Sequence, residues 1–445
     1  MVKSDQAVAD KVAKADTPFT RQWFEKTSET VIRHIRCGAT ESVQEVAKPS
    51  VPKDLVTDSS LYAIGALFNR QRKLTNHSQN ERLRIVDLCC GVGGFASGIR
   101  DALSCFGPPP VFAASVDVSN NAALIYQRNI RPRRFLRENI ETLVSYGFLP
   151  EGGKSIPDAA SIQLSGHLAD LIGAVDAVIA GPPCEGHSNA NNVTRRSDAR
   201  NTLYVDAVAI AIALQPTVIV IENVPTVVAS RVPVVEQAKS LLRQSGYSFS
   251  ESPVVLNAAQ HGCAQARNRN FLIATKTGLI GKDFFSGLVV ESLSAGDVLS
   301  EAAGLSHCDV FDVPSKLSGE NQRRVEFLHA NGLYDLPDAE RPDCHRLKAH
   351  GYGAVYGRMR YEQPSPTITT GFLSPGRGRF THPFLARGLT LREGSLLQGF
   401  STYYDWMQKS SKTPRTAYAT LIGDAVPPAL GFVTGLAIAE AIARR

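Results

Sequence analysis

Eight cysteines are spread over 445 residues with no C-x-x-C pair and no Cys/His ligand spacing. That pattern excludes a zinc ribbon and a disulfide scaffold, so no metal site is expected, and reduced thiols in a cytosolic, cytoplasmic setting fit best. No charge-free apolar run reaches the roughly 20 residues needed to cross a bilayer. The nearest, Pro427 to Ala439, is rich in Gly and Ala and reads as a packed helix, so no membrane partner is expected. Met1-Val2-Lys3-Ser4-Asp5 leads into no apolar h-region, which argues against a secretory signal. Internal repeats and long low-complexity tracts are also missing. Charge of one sign does not dominate: 48 Lys and Arg against 42 Asp and Glu leave +6, which permits nucleic acid as a partner without demanding it. What is present, 43% hydrophobic and 20% charged residues, is the composition expected of a soluble globular protein. The length exceeds one ordinary core and suggests two domains, or one large domain with insertions.

Residues 1–80 are polar and charge-mixed, with weak helical spacing around Trp23 to Ile35; they read as a helical N-terminal extension and linker. From Arg84 the texture changes. Ile85-Val86-Asp87-Leu88 is a short buried strand ended by glycines, Phe95 to Leu103 a helix, Val111 to Val116 a strand closing on Asp117, and Asn120 to Asn129 a helix. Strand, glycine turn, helix, strand and acid in that order make a βαβ unit. The alternation continues with strand Val175 to Ala180, helix Thr202 to Leu214, strand Val218 to Ile221 and helix Val234 to Ser245. A hairpin-like pair, Tyr247 to Val255 and Asn270 to Ala274, follows. This argues for an α/β fold with a doubly wound sheet. Residues 276–385, rich in Gly, Pro, Arg and His, read as a separate loop-rich module with short strand candidates such as Thr367-Ile368-Thr369-Thr370. The α/β texture returns over 386–445, with helices from Leu391 to Gln398 and from Pro428 to Ala443.

Three strand ends carry chemistry. Gly91-Val92-Gly93-Gly94 lets backbone N–H groups approach a ligand at a helix N-terminus, although a plain tight turn would read the same. Asp117 is placed to accept hydrogen bonds from ribose hydroxyls, with a helix N-cap as the rival reading; a nucleoside-bearing cofactor explains the two together. Gly181-Pro182-Pro183-Cys184 holds a thiol at the open end of the sheet. A free thiol titrates near 8.5, so Cys184 needs a cation or a helix N-terminus to become a thiolate at neutral pH. Glu222 is the one charged residue in Val218 to Val224; it is either an ion-pair partner or an acid or base, and Cys184 nearby favours the second. Gln265-Ala266-Arg267-Asn268-Arg269 puts two arginines on one side of an extended segment, either a solvated basic edge or, beside an anionic polymer, a clamp for a phosphate or a base carbonyl.

In this order the residues resemble the cytosine-C5 DNA methyltransferases over most of 85–430. The resemblance takes in Asp87 to Phe95, Pro182-Pro183-Cys184, Glu222-Asn223-Val224 and Gln265-x-Arg267-x-Arg269. Near the C-terminus it includes Arg387 to Glu393 with Leu397-Gln398-Gly399-Phe400, and Gly423-Asp424-Ala425-Val426-Pro427. It implies a mostly parallel Rossmann-like methyltransferase sheet at 81–275, a smaller target-recognition domain at 276–385, and a return to the catalytic domain at 386–445. It implies S-adenosyl-L-methionine held by Asp87, Cys89, Cys90, Gly91, Val92, Gly93, Gly94, Phe95, Asp117, Val118, Asn139, Ile140, Pro182, Leu203, Asp424, Ala425 and Val426. Cys184 would add to C6 of a flipped cytosine, Glu222 would act at N3, and Arg267 and Arg269 would orient the base, Arg269 at its carbonyl. Double-stranded DNA is the implied partner, with Ser188, Gln265, Arg358, Arg360, Arg377 and Arg379 as candidate contacts. A cognate restriction or defence nuclease is a further candidate partner. The chain departs from the common pattern at Cys89 (for Phe), Glu185 (for Gln), Asn139 (for Asp) and Asp424 (for Asn). Rival readings are an RNA cytosine methyltransferase on the same scaffold, a catalytically silent nucleic-acid-binding protein or cofactor sensor, and an NAD-dependent oxidoreductase. The last would leave the thiol and the arginine pair idle.

Overall fold

The computed structural model describes residues 21–26, 30–37, 40–47, 82–151, 154–183, 202–230, 232–303, 310–346, 355–406 and 413–445. Its first elements correct an expectation. The described residues around Trp23 to Ile35 are strands, not helix: β1 (Arg21–Lys26), β2 (Thr30–Cys37) and β3 (Thr40–Ala47) form an antiparallel sheet in that order. Thr30, Val31, Ile32, Ile35, Thr40, Val43 and Val46 are β-branched, stiff side chains that favour a pleated surface, and this outweighs a weak helical spacing.

The large sheet begins with β4 (Arg84–Leu88), α1 (Gly94–Leu103), β5 (Val111–Val116), α2 (Asn120–Asn129) and β6 (Phe135–Leu136). It continues with β7 (Ala177–Ala180), α3 (Leu203–Leu214), β8 (Val218–Asn223), α4 (Val234–Gln244), β9 (Ser248–Phe249) and β10 (Val254–Asn257). β11 (Gln265–Ala266) precedes its last strand, β12 (Asn268–Thr275). The strand order is β9-β12-β8-β7-β4-β5-β6, with β10 also on β12. β4 to β8 run parallel, and β12 is antiparallel to β8. β7 and β8 are buried throughout, as parallel strands covered on both faces must be. Their alternate residues feed two cores: Ile179 and Val220 meet α1, while Val178 and Ile221 meet α3 and α4.

Beyond β12 come α5 (Ala295–Ala303), α6 (Gly319–Ala330), β13 (Ser365–Pro366), α7 (Leu391–Leu397), α8 (Arg415–Asp424) and α9 (Pro428–Ala443). The region expected to be loop-rich thus contains two substantial helices. The expected strand at Thr367 to Thr370 is also corrected, because the pairing lies one step earlier, Ser365 and Pro366 against Gln265 and Ala266. Ile368 cannot extend that ladder, since its N–H and C=O are taken by the side chains of Gln265 and Arg267. Ile280, Phe285, Leu288 and Val290 pack into the core shared by α1 and α9. A third core joins Val92, Ala122 and Ile125 to Leu299, Phe311, Met359, Leu389 and Trp406, so the chain past 290 is bound to the main sheet by apolar packing. Arg415–Ala443 is apolar and long enough to cross a bilayer, but 94% of its most apolar window is buried inside the molecule. The order of the parallel strands reverses between β4 and β7, and the crevice outside their carboxyl ends is where such sheets bind ligands.

Candidate active site

At the carboxyl end of β4 the backbone turns through Cys89 (φ 52°), Gly91 (φ 53°) and Gly93 (φ 92°), all in the left-handed region. Glycine adopts that conformation freely; Cys89 does not, so its position is held by its surroundings. Gly91 N–H donates to Asp117 Oδ2 at 2.8 Å, and Ser119 N–H donates to Oδ1 at 2.8 Å. Among the described residues, a Cβ added at Gly91 would meet nothing within 4 Å. Beside it the Val118 side chain is 64% exposed. Asp87 is buried and accepts from Tyr126 Oη at 2.9 Å, while its other oxygen is buried with no hydrogen-bond partner among the described residues. Burial raises the Asp87 carboxyl and the Cys89 and Cys90 thiols, and neighbouring carboxylates push both thiols further up. Phe95 takes another course, turning its ring into the core 6.1 Å from that of Phe271.

The ends of β7 and β8 lie against this loop. A Cβ built on Gly181 would sit 3.7 Å from Glu222 Oε2, 3.7 Å from Val426 Cγ2 and 3.8 Å from the Cys89 carbonyl oxygen. Asn223 Nδ2 donates to Pro182 O at 3.1 Å and fixes the start of the proline turn. Cys184 and Ser188, with Glu185, lie outside the described residues. Glu222 is buried and paired with Arg269, Nε to Oε1 at 2.9 Å. Burial raises its carboxyl above the ordinary range, although Arg269 and Arg267 pull it back. Arg267 is buried as well, its guanidinium donating to Ile368 O at 2.9 Å and Gly423 O at 2.8 Å. Val426 closes the far side, for its carbonyl lies 2.3 Å from where a Cβ of Gly94 would be. Ala425 just before it is buried, and Asp424 at the end of α8 is exposed.

A family model of the C-5 cytosine-specific DNA methylases matches residues 83–440. The chain belongs to that family. It is 36% identical over 360 residues to the Type II methyltransferase M1.BsuMI of Bacillus subtilis, covering 80% of each chain. It is 29% identical to the Type II methylase M.HgiDII of Herpetosiphon aurantiacus, over 80% of this chain and 94% of that one. Among solved structures, a candidate DNA modification methyltransferase encoded within an Escherichia coli prophage aligns with a TM-score of 0.54 at 19% identity. That alignment covers 81% of this chain and 99% of the other, a likeness of fold.

In this DNA methylase the remaining sequence-predicted residues divide by burial. Ile140 and Leu203 are buried in one cluster, and Asn139 caps the turn after it, donating to Glu141 Oε1 at 2.6 Å. Gln265, expected to touch DNA, is corrected: it is fully buried and its amide is used inside the protein, donating to Gln398 and accepting from Ile368 N–H. Arg379 is tied to Asp335 at 2.6 Å, and Arg358 donates to Pro383 O at 2.9 Å. Arg360 and Arg377 are exposed, Arg360 lying 4.3 Å over the Tyr334 ring. Sequence reasoning missed Asp206, which accepts from Tyr146 Oη at 2.7 Å and acts electrostatically on Cys89. It is the one charge in the apolar run Leu203–Leu214, the same signal that marks Glu222 on β8.

Proposed function

We propose that this methyltransferase transfers a methyl group to C5 of a cytosine flipped out of duplex DNA, through a covalent bond between Cys184 and C6. The observation that carries the reading is the convergence at Gly181, three residues before Cys184, of the Glu222 carboxylate, the Cys89 carbonyl and Val426. Cytosine C5 is a weak nucleophile. Attack of the thiolate lone pair on C6 moves the C5–C6 π electrons toward C5 while Glu222 holds a proton at N3. A carboxyl raised by burial suits that role, and Arg269, already paired with it, would engage the base carbonyl. After methylation, loss of the C5 proton restores the double bond and releases the thiolate. Flipping costs about a few kcal/mol, which contacts to the extruded base offset.

S-adenosylmethionine supplies the electrophilic methyl group. The described residues suit such a cationic nucleoside: none of them crowds Gly91, Val118 is exposed, Asp117 offers a carboxylate, and none donates to the second, buried Asp87 oxygen. Cys90, Val92, Gly93, Gly94, Pro182, Asn139, Ile140, Leu203 and Asp424 to Val426 would complete the pocket. Residues 276–385 would form the target-recognition module, with exposed Arg360 and Arg377 as DNA contacts. Relatives named Type II methyltransferases support a role beside a cognate restriction nuclease, on DNA in the bacterial cytoplasm.

The test uses Cys184→Ser. Bisulfite sequencing of DNA from cells carrying the wild-type gene should show a methylated motif that vanishes with the variant. Duplexes of that motif with 5-fluorocytosine should cross-link to the wild type alone. Methylation persisting in the variant would overturn the covalent route.

A further inference from the structure

Two buried glutamines join three parts of the molecule that the chemistry requires to act together. Gln265 and Gln398 are both 0% exposed. Ile368 N–H donates to Gln265 Oε1 at 2.8 Å, Gln265 Nε2 donates to Gln398 Oε1 at 2.5 Å, and Gln398 Nε2 donates to Ala425 O at 2.6 Å. A backbone N–H at one end and a carbonyl at the other fix the direction of both amides, so neither can flip without leaving a buried group unpaired. Arg267 runs a second arm alongside, from Ile368 O to Gly423 O. A single residue of the proposed recognition module, Ile368, is thereby held at both its N–H and its C=O. The last turn of α8 is held at Gly423, and the loop that follows it at Ala425. That loop then delivers Val426 onto Gly94 and Gly181. Backbone contact reinforces the joint, since a Cβ on Gly423 would lie 2.4 Å from Thr370 N.

We infer that Gln265 and Gln398 are positioning residues that seat the Ala425–Val426 loop over the cofactor pocket and tie its position to that of the recognition module. This rests on the methyl-donor reading above. The hydrogen bonds of the Gln265 side chain go to Leu397, Gln398 and Ile368 and not to the loop, yet its amide direction dictates that of Gln398. Gln265→Glu would set a carboxylate oxygen against Gln398 Oε1 and turn that amide away from Ala425. Gln398→Met keeps the volume and removes the donor outright.

Titration calorimetry with S-adenosylhomocysteine, alongside thermal melting, tests the relay on wild type, both single variants and the double variant. Each single change should raise the dissociation constant about tenfold, the scale of one net hydrogen bond. In the Gln398→Met background Gln265→Glu should add nothing, because a thioether does not transmit the reversed polarity. Additive effects, or lowered melting temperatures with unchanged affinity, would overturn the relay. If the buried carboxylate prevents folding, Gln265→Met replaces it in the cycle, with about a threefold loss expected that must likewise vanish beside Gln398→Met. A wild type that fails to bind S-adenosylhomocysteine would sink the methyl-donor reading and the relay with it. A wild type that binds, with variants that bind equally well, would sink the relay alone.

Discussion

Glu222 shows how one side chain acquires its chemistry from neighbours distant in sequence. Burial favours its protonated form, and the Arg269 guanidinium at 2.9 Å opposes that without winning. Glu222→Gln keeps a hydrogen-bond donor but cannot exchange a proton. Single-turnover methylation of unmodified genomic DNA should therefore fall by about 10²–10⁴-fold while DNA binding persists. Arg269→Gln removes a cation that lowers the carboxyl, so the Glu222 inflection in the pH profile of kcat/KM should move to higher pH. An inflection that stays in place would show that the ion pair does not tune this group. Gln265 and Arg267 make the opposite point. Their spacing in sequence marks them as a motif, but they spend their donors inside the protein, on Ile368, Gln398 and Gly423, residues more than a hundred positions away. Nothing local in Gln265-x-Arg267 distinguishes a contact to DNA from a strap between segments.

Between elements, the closest fit is α1 against α9. A Cβ on Gly98 would lie 1.9 Å from Pro428 O and 2.6 Å from Phe432 N, and one on Gly431 would lie 2.4 Å from Phe95 O. The helices touch backbone to backbone, and α1 carries the glycine loop at its N-terminus. Gly98→Ala would gain about 1 kcal/mol in helix propensity, yet the clash forces overpacking that costs about 1–3 kcal/mol or more. The clash should dominate, and urea unfolding should show a net loss. Gly107→Ala, with open space around it, should be neutral or slightly stabilising. A Gly98→Ala protein as stable as the wild type would mean that α9 can shift freely away from α1. The Gly and Ala content of Pro427 to Ala439 announces a tight helix contact, but the partner helix lies over three hundred residues upstream.

Acid response belongs to the whole molecule, because it sums over buried groups in several segments. His261 is buried and held to about 4, mainly by burial, against an ordinary 6.5. The unfolded chain binds that proton first, so this contribution is present above pH 6.5 and is lost as pH falls toward 4. Burial alone would raise Glu393, but Arg387 and His382 hold it at about 2, so its contribution is present above pH 4.5 and lost as pH falls from there toward 2. Denaturant midpoints measured against pH should flatten between 6.5 and 4 in His261→Asn, and below 4.5 in Glu393→Gln, relative to wild type. Parallel curves would refute either assignment. At this scale the division between sequence and structure is clear. Apolar runs, glycine turns and single charges ending strands determined the α/β sheet and marked the groups proposed to react, because strand burial and turn geometry are short-range demands. Only the tertiary structure decided that Arg21–Lys26 and Thr30–Cys37 are sheet, that Ser365–Pro366 is the paired strand, and that Gln265 faces inward. Each of those outcomes depends on which distant backbone groups a segment meets, and that is settled when the chain packs.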